Sequence, residues 1–139
     1  MTSIRITRVN HVAIPISDRR KTLPFYRDLL GLKVIPSMVD NPGVIWTELE
    51  DGSMVHTVEP NEQGQPSVNH VALEVEDFDA AVQALTEAGV EILRQGVRHD
   101  GQRFLFVDDP DGNRIELATA AVERPTDRVT DEWGRTRQV

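Results

Sequence analysis

Two stretches of this chain are almost the same: "VNHVAIPISD" from Val9 and "VNHVALEVED" from Val68. Each places a histidine third, His11 and His70. A second comparison adds two more groups. "MVHTV", Met54–Val58, aligns with "RIELA", Arg114–Ala118, at an offset of 60, which pairs His56 with Glu116. A single His on an apolar strand is ordinarily a hydrogen-bonded core residue. Three in register with a carboxylate suggest something else, because neutral imidazoles and carboxylates are the donors that divalent first-row ions take. The expected ligand set is therefore His11, His56, His70 and Glu116, holding one divalent ion (Zn, Ni, Fe, Mn or Co).

The elements around these residues must aim them. Side chains alternate faces along a strand, so His11 shares a face with Ala13, His70 with Ala72 and Glu74, and His56 with Met54 and Val58. Each histidine-bearing stretch leads into a helix signal. In the second copy Asp77 caps a run whose apolar face holds Phe78, Ala81, Val82, Leu85 and Ala88, and Gly89 stops it. In the first copy the stripe is Leu23, Tyr26, Leu29 and Leu30, ending at Gly31. Pro24 suits only a first turn, which predicts a regular helix starting near Thr22. Three strand candidates follow each helix: 32–35, 44–49 and 53–59, then 90–93, 103–107 and 113–119. The turns "EDG" and "PDG" precede the last strand of each copy.

The plan is β-α-β-β-β twice, an α+β duplication with modules at about 7–60 and 67–120 in one domain, 1–120. The linker "PNEQGQPS" joins them. If a pseudo-twofold axis relates the copies, the four ligands can converge near it. Residues 121–139 match neither copy, and Trp133 there belongs either to a flexible end or to an arm docked on a neighbouring surface.

Composition bounds the function. A chain of 139 residues with net charge -8 and no Lys/Arg-rich run disfavours nucleic acid and anionic membranes as partners. No stretch reaches membrane-spanning length and the first residues lack an apolar signal core, so the expected location is the cytoplasm. The absence of cysteine excludes disulfides, thiolate zinc sites and a Cys nucleophile.

The stretches "NHVAI", "PFYRDLLGLKV", "NHVALEVEDFDAAVQALTEAGVEI" and "FVDDPDGNRIEL" resemble those of the vicinal oxygen chelate superfamily, which includes glyoxalase I, methylmalonyl-CoA epimerase, extradiol dioxygenases and antibiotic-resistance proteins. The resemblance implies paired βαβββ modules forming a half-open mixed sheet around a metal. It also implies ligands from the first and last strands of each module, here His11, His56, His70 and Glu116. His56 departs from glyoxalase I relatives, which usually carry Glu there, and from epimerases, which often carry Gln.

The leading expectation is a metal-dependent isomerase or lyase acting by proton transfer on a small molecule chelated through vicinal oxygens, and the resemblance to glyoxalase-type isomerases implies Glu116 as the catalytic carboxylate that moves the proton. Four protein ligands leave two octahedral positions for such a chelate. The alternatives are an extradiol dioxygenase and a drug-binding or drug-modifying resistance protein, fosfomycin-modifying enzymes included. A homodimer is expected because sheet edges and an apolar face call for a partner. Glu74 and Glu48 are weaker site candidates, Asp109 and Asp111 read as turn-formers, and His99 as a solvated loop residue.

Overall fold

The computed structural model describes residues 3–120 and 131–135. Eight strands form one mixed sheet in the order β2-β3-β4-β1-β5-β8-β7-β6. They are β1 (Ile6–Pro15), β2 (Lys33–Ile35), β3 (Val44–Glu48), β4 (Met54–Val58), β5 (His70–Val75), β6 (Arg94–Val97), β7 (Arg103–Asp108) and β8 (Arg114–Ala118), with helices α1 (Arg19–Leu23) and α2 (Phe78–Glu87). The described residues divide into two compact units: 3–10 with 70–120, and 11–69 with 131–135. The division falls inside β1, after Asn10.

In the unit that holds α2, β5 runs parallel to β8, and β8, β7 and β6 are antiparallel in turn. Asp77 accepts from the Ala80 N–H at 3.0 Å and starts the helix. Gly89, at φ 72°, ends it. There the Val90 N–H reaches Leu85 O and the Gly89 N–H reaches Thr86 O, the paired bonds of a left-handed helix terminus. Most of the predicted stripe is the buried face: Phe78, Ala81 and Leu85 pack with Val75, Leu105, Val107 and Leu117, and Val82 lies partly buried against them, whereas Ala88 is the C-cap residue and is exposed. These strand residues alternate with His70, Ala72, Phe104, Phe106 and Glu116, so helix and titratable groups occupy opposite faces of this part of the sheet.

The strand expected at 90–93 lies further on, at Arg94–Val97. Val90 and Ile92 alternate as a strand would, but they pack against the α2 cluster. Pairing with β7 begins only at Leu93, whose N–H donates to Phe106 O at 2.8 Å.

In the other unit β1 runs parallel to β4, and β4, β3 and β2 are antiparallel. The two registers confirm the repeat: Ala13 stands opposite His56 as Ala72 stands opposite Glu116. The first helix departs from expectation. It starts at Arg19, capped by Asp18, which accepts from the Arg20 N–H at 2.9 Å. From Pro24 to Leu29 the backbone is π-helical, with the Leu30 N–H on Phe25 O. Proline has no N–H and its ring crowds the carbonyl four residues back, so the wider spacing relieves the α-helical ladder there. The change rotates the predicted stripe out of register. Leu23 is buried at 1% exposure, whereas Leu29 is 72% and Leu30 53% exposed.

Residues 131–135 form a turn, with Asp131 Oδ1 accepting from the Trp133 and Arg135 N–H groups. The turn docks: the Ser37 N–H donates to Gly134 O at 3.0 Å, and the Arg19 guanidinium lies 5.2 Å from the Trp133 ring centroid. Gly134 has φ 77°, and a Cβ there would collide with the Ile35 carbonyl. Gly134→Ala is expected to release this turn, seen as faster proteolysis near the C-terminus and a lower melting temperature, with a loss of about 1–3 kcal/mol.

Candidate metal centre

Glu116 sits in the middle of β8, opposite Ala72 on one side and Phe106 on the other. It is wholly buried, at 0% exposure. Ala72 is small, so the β5 side of the carboxylate is left to His70, two residues earlier on the same face. His70 Nε2 lies 3.7 Å from Glu116 Oε1, and the imidazole meets the Phe106 ring edge-on at 5.1 Å.

A buried carboxylate needs compensation. Arg98 provides it, with Nη2 donating to Glu116 Oε1 at 2.9 Å and Nη1 to Gln102 Oε1 at 3.1 Å. The guanidinium lies 4.1 Å above Phe104. A tight loop fixes Arg98 and Gln102 together: the Arg98 N–H reaches Gln102 O, the Gly101 N–H reaches Arg98 O, and Asp100 Oδ1 accepts from the Gln102 N–H. Burial pushes the Glu116 carboxyl up from its ordinary value, and Arg98, by charge and hydrogen bond, pulls it back down. Sequence reasoning missed Arg98. Its signal was the "HDG" turn that folds residue 98 onto 102, a local feature that the repeat does not display.

His11 and His56 belong to the other unit. Their rings are stacked at 3.8 Å, and Trp46 stacks on His56 at 4.2 Å with planes 9° apart. Because β4 lies between β3 and β1, Trp46 covers one face of His56 and His11 the other. Trp46 is anchored in turn among Met38 and Met54. All three rings are buried.

The donor atoms of His11, His70 and Glu116 lie within 4.8 Å of one another. Three of the four predicted ligands thus form the candidate triad. His56 is outside that group and stands as the stacking partner of His11. Two imidazoles and one carboxylate, with little or no exposed surface, are a donor set that suits a first-row dication. Of the other candidates, Glu74 accepts from Asn10 Nδ2 at 2.7 Å, and His99 is exposed in its loop. Asp109 accepts from the Asp111 and Asn113 N–H groups, as a turn-former does.

The raised Glu116 carboxyl has a thermodynamic consequence. A folded-state value above the ordinary 4.5 means the folded chain holds this proton more tightly than the unfolded chain. The resulting stability is fully present below pH 4.5 and is lost as pH rises through the raised value. In chelator-treated protein the wild-type melting temperature should fall relative to that of Glu116→Gln as pH climbs through this window. Parallel curves would contradict it.

A βαβββ repeat on one mixed sheet, with His11, His70 and Glu116 as candidate ligands, is a duplicated α+β fold. The family model described as "Glyoxalase/Bleomycin resistance protein/Dioxygenase superfamily" matches residues 8–117, and the chain belongs to that superfamily. It is 33% identical over 115 residues to "Glutathione transferase FosA" of Serratia marcescens, covering 78% of each chain. It is 29% identical over 127 residues to "Metallothiol transferase FosB" of Staphylococcus epidermidis, covering 86% of this chain and 87% of the relative. Among solved structures, methylmalonyl-CoA epimerase from Mycobacterium tuberculosis superposes with TM-score 0.69 at 21% identity, over 86% of this chain and 91% of that one. The Streptomyces coelicolor epimerase with 2-nitronate-propionyl-CoA gives 0.66 at 26%, over 84% and 99%. Among the described residues no helix is long and apolar enough to cross a membrane.

Proposed function

We propose that the chain is a metal-dependent enzyme in which His11, His70 and Glu116 hold one divalent ion, and that it adds a thiol to a small oxygen-chelating epoxide: a C–S bond forms as a ring C–O bond breaks, and the thiol proton ends on the released oxygen. When bound, such an ion acts as a Lewis acid on the substrate's oxygens. The chain's own residues hold and orient. His70 and Glu116 present their donors, Arg98 fixes the carboxylate, and His56 with Trp46 holds the His11 ring. The observation that carries the reading is the state of Glu116. A carboxylate with no exposed surface, engaged by Arg98 at Oε1, suits a fixed ligand better than a proton shuttle. With Glu116 fixed as a ligand, this reading brings the nucleophile in with a second substrate. With no cysteine in the chain, a sulfur nucleophile is supplied from outside, as the names of the FosA and FosB relatives imply.

A second reading, proton transfer in an isomerase or lyase, is favoured by the structural likeness to epimerases at 26% identity. One anaerobic assay separates the two. Metal-restored protein should consume glutathione or another low-molecular-weight thiol with a chelating epoxide, fosfomycin among them. Exchange of a substrate α-proton for deuterium, with no thiol consumed, would instead favour the isomerase.

His56 serves the metal through His11 in this reading. His56→Ala should still bind one ion, with affinity about 10- to 100-fold lower, whereas His70→Ala should abolish stoichiometric binding. Titration with Zn or Mn followed by elemental analysis checks both. A homodimer belongs to the same reading, supported by the exposure of Phe25, Leu29 and Leu30 at 50%, 72% and 53%. Light scattering at micromolar concentration should give twice the chain mass, and a monomer mass would refute it.

A further inference from the structure

A ligand carboxylate that faces a dication does not need a guanidinium to stay ionised, yet Arg98 is kept beside Glu116 at considerable cost. Its side chain is only 9% exposed. Its charge is permanent, and taking such a group out of water costs several kcal/mol before any partner is counted. The surroundings are built to hold it: Glu116 Oε1 at 2.9 Å, Gln102 Oε1 at 3.1 Å and the Phe104 face at 4.1 Å. Gln102 is itself buried and tied through Nε2 to Thr119 O at 2.9 Å. A loop turn and a steady hydrogen-bond chain therefore fix a cation next to a metal ligand.

Charge accounting gives that cation a task. Two neutral imidazoles and one carboxylate bring a single negative charge to a dication. Here Arg98 offsets the carboxylate, so the three ligands and the guanidinium together contribute no net charge. This set leaves the ion's double positive charge undiminished toward its substrate. We propose that Arg98 is a specificity-determining residue that makes the centre select dianionic chelating substrates over monoanionic ones of the same shape. This rests on the metal reading above and goes beyond it.

Oxalate and oxamate are nearly isosteric chelators that differ by one charge, and both can be titrated calorimetrically into Zn- or Mn-loaded protein. Wild type should prefer oxalate by a ratio at least equal to that of the hydrated ion. Arg98→Gln should lower that ratio on the order of tenfold to a hundredfold, the effect of one charge a few ångströms away at moderate dielectric. Arg98→Lys, which keeps the charge, should restore most of it. An unchanged ratio in Arg98→Gln, or an equal loss for both chelators, overturns the proposal and leaves Arg98 a purely structural role. If Arg98→Gln does not fold, as a melting curve would show, the wild-type ratio decides alone: a value below that of the hydrated ion overturns it. Failure of the underlying metal reading is separately visible, because no ion would then bind before any chelator is added.

Discussion

The balance of one buried carboxylate organises this protein's chemistry. Glu116 has no exposed surface, and burial alone would drive it to its neutral form. Arg98 opposes that, and its position depends on the turn through Gly101, on Gln102 and on the face of Phe104. The apolar cluster under α2 fixes the opposite face of the same strands, so the register that buries Leu105 and Leu117 also points Phe104 and Glu116 the other way. A slip of one residue in β8 would put the carboxylate into the helix-covered core. Fold stability and site geometry are thus one constraint seen from two faces of a sheet.

What was legible in the sequence was whatever the duplication wrote twice. His11 with His70, His56 with Glu116, the cap at Asp77 and the turns at Gly52 and Gly112 all depend on short-range signals repeated at nearly constant spacing. The parallel registers β1–β4 and β5–β8 bear out the equivalence of the copies, and the bond from the Ala80 N–H to Asp77 bears out the cap. The misses have local causes. Val90 and Ile92 alternate like a strand because alternation also serves a segment leaving a helix over its own core. Pro24 was seen, but the chain accommodated it by widening the helix after α1 instead of starting the helix later. Arg98 left only the turn at 99–101 as its mark in the sequence, because its partners Phe104 and Glu116 come within reach when the hairpin closes.

The two copies have divided their labour. In one, the last strand carries a carboxylate neutralised by an arginine. In the other, the equivalent position carries His56, held between Trp46 and His11. Ring stacking contributes about 0.5–1.5 kcal/mol per pair and, more to the point, restricts how an imidazole can turn. His11 is thereby oriented before any ligand arrives, and His70 meets the edge of Phe106. Duplication supplied equivalent positions, and divergence made them unequal.

The outermost strands of the sheet order, β2 and β6, are both short, three and four residues, and read "KVI" and "RQGV". An open sheet exposes unpaired backbone donors and acceptors at each end, which is how one chain templates the misassembly of another. Here each end offers little length to pair with, and a lysine or arginine stands at the start of each. The longest strand, β1, lies in the interior of the order instead. Strand addition at these margins is therefore disfavoured, and a concentrated solution of the folded protein should resist that route to precipitation even though inner strands such as β3 and β4 are rich in β-branched residues.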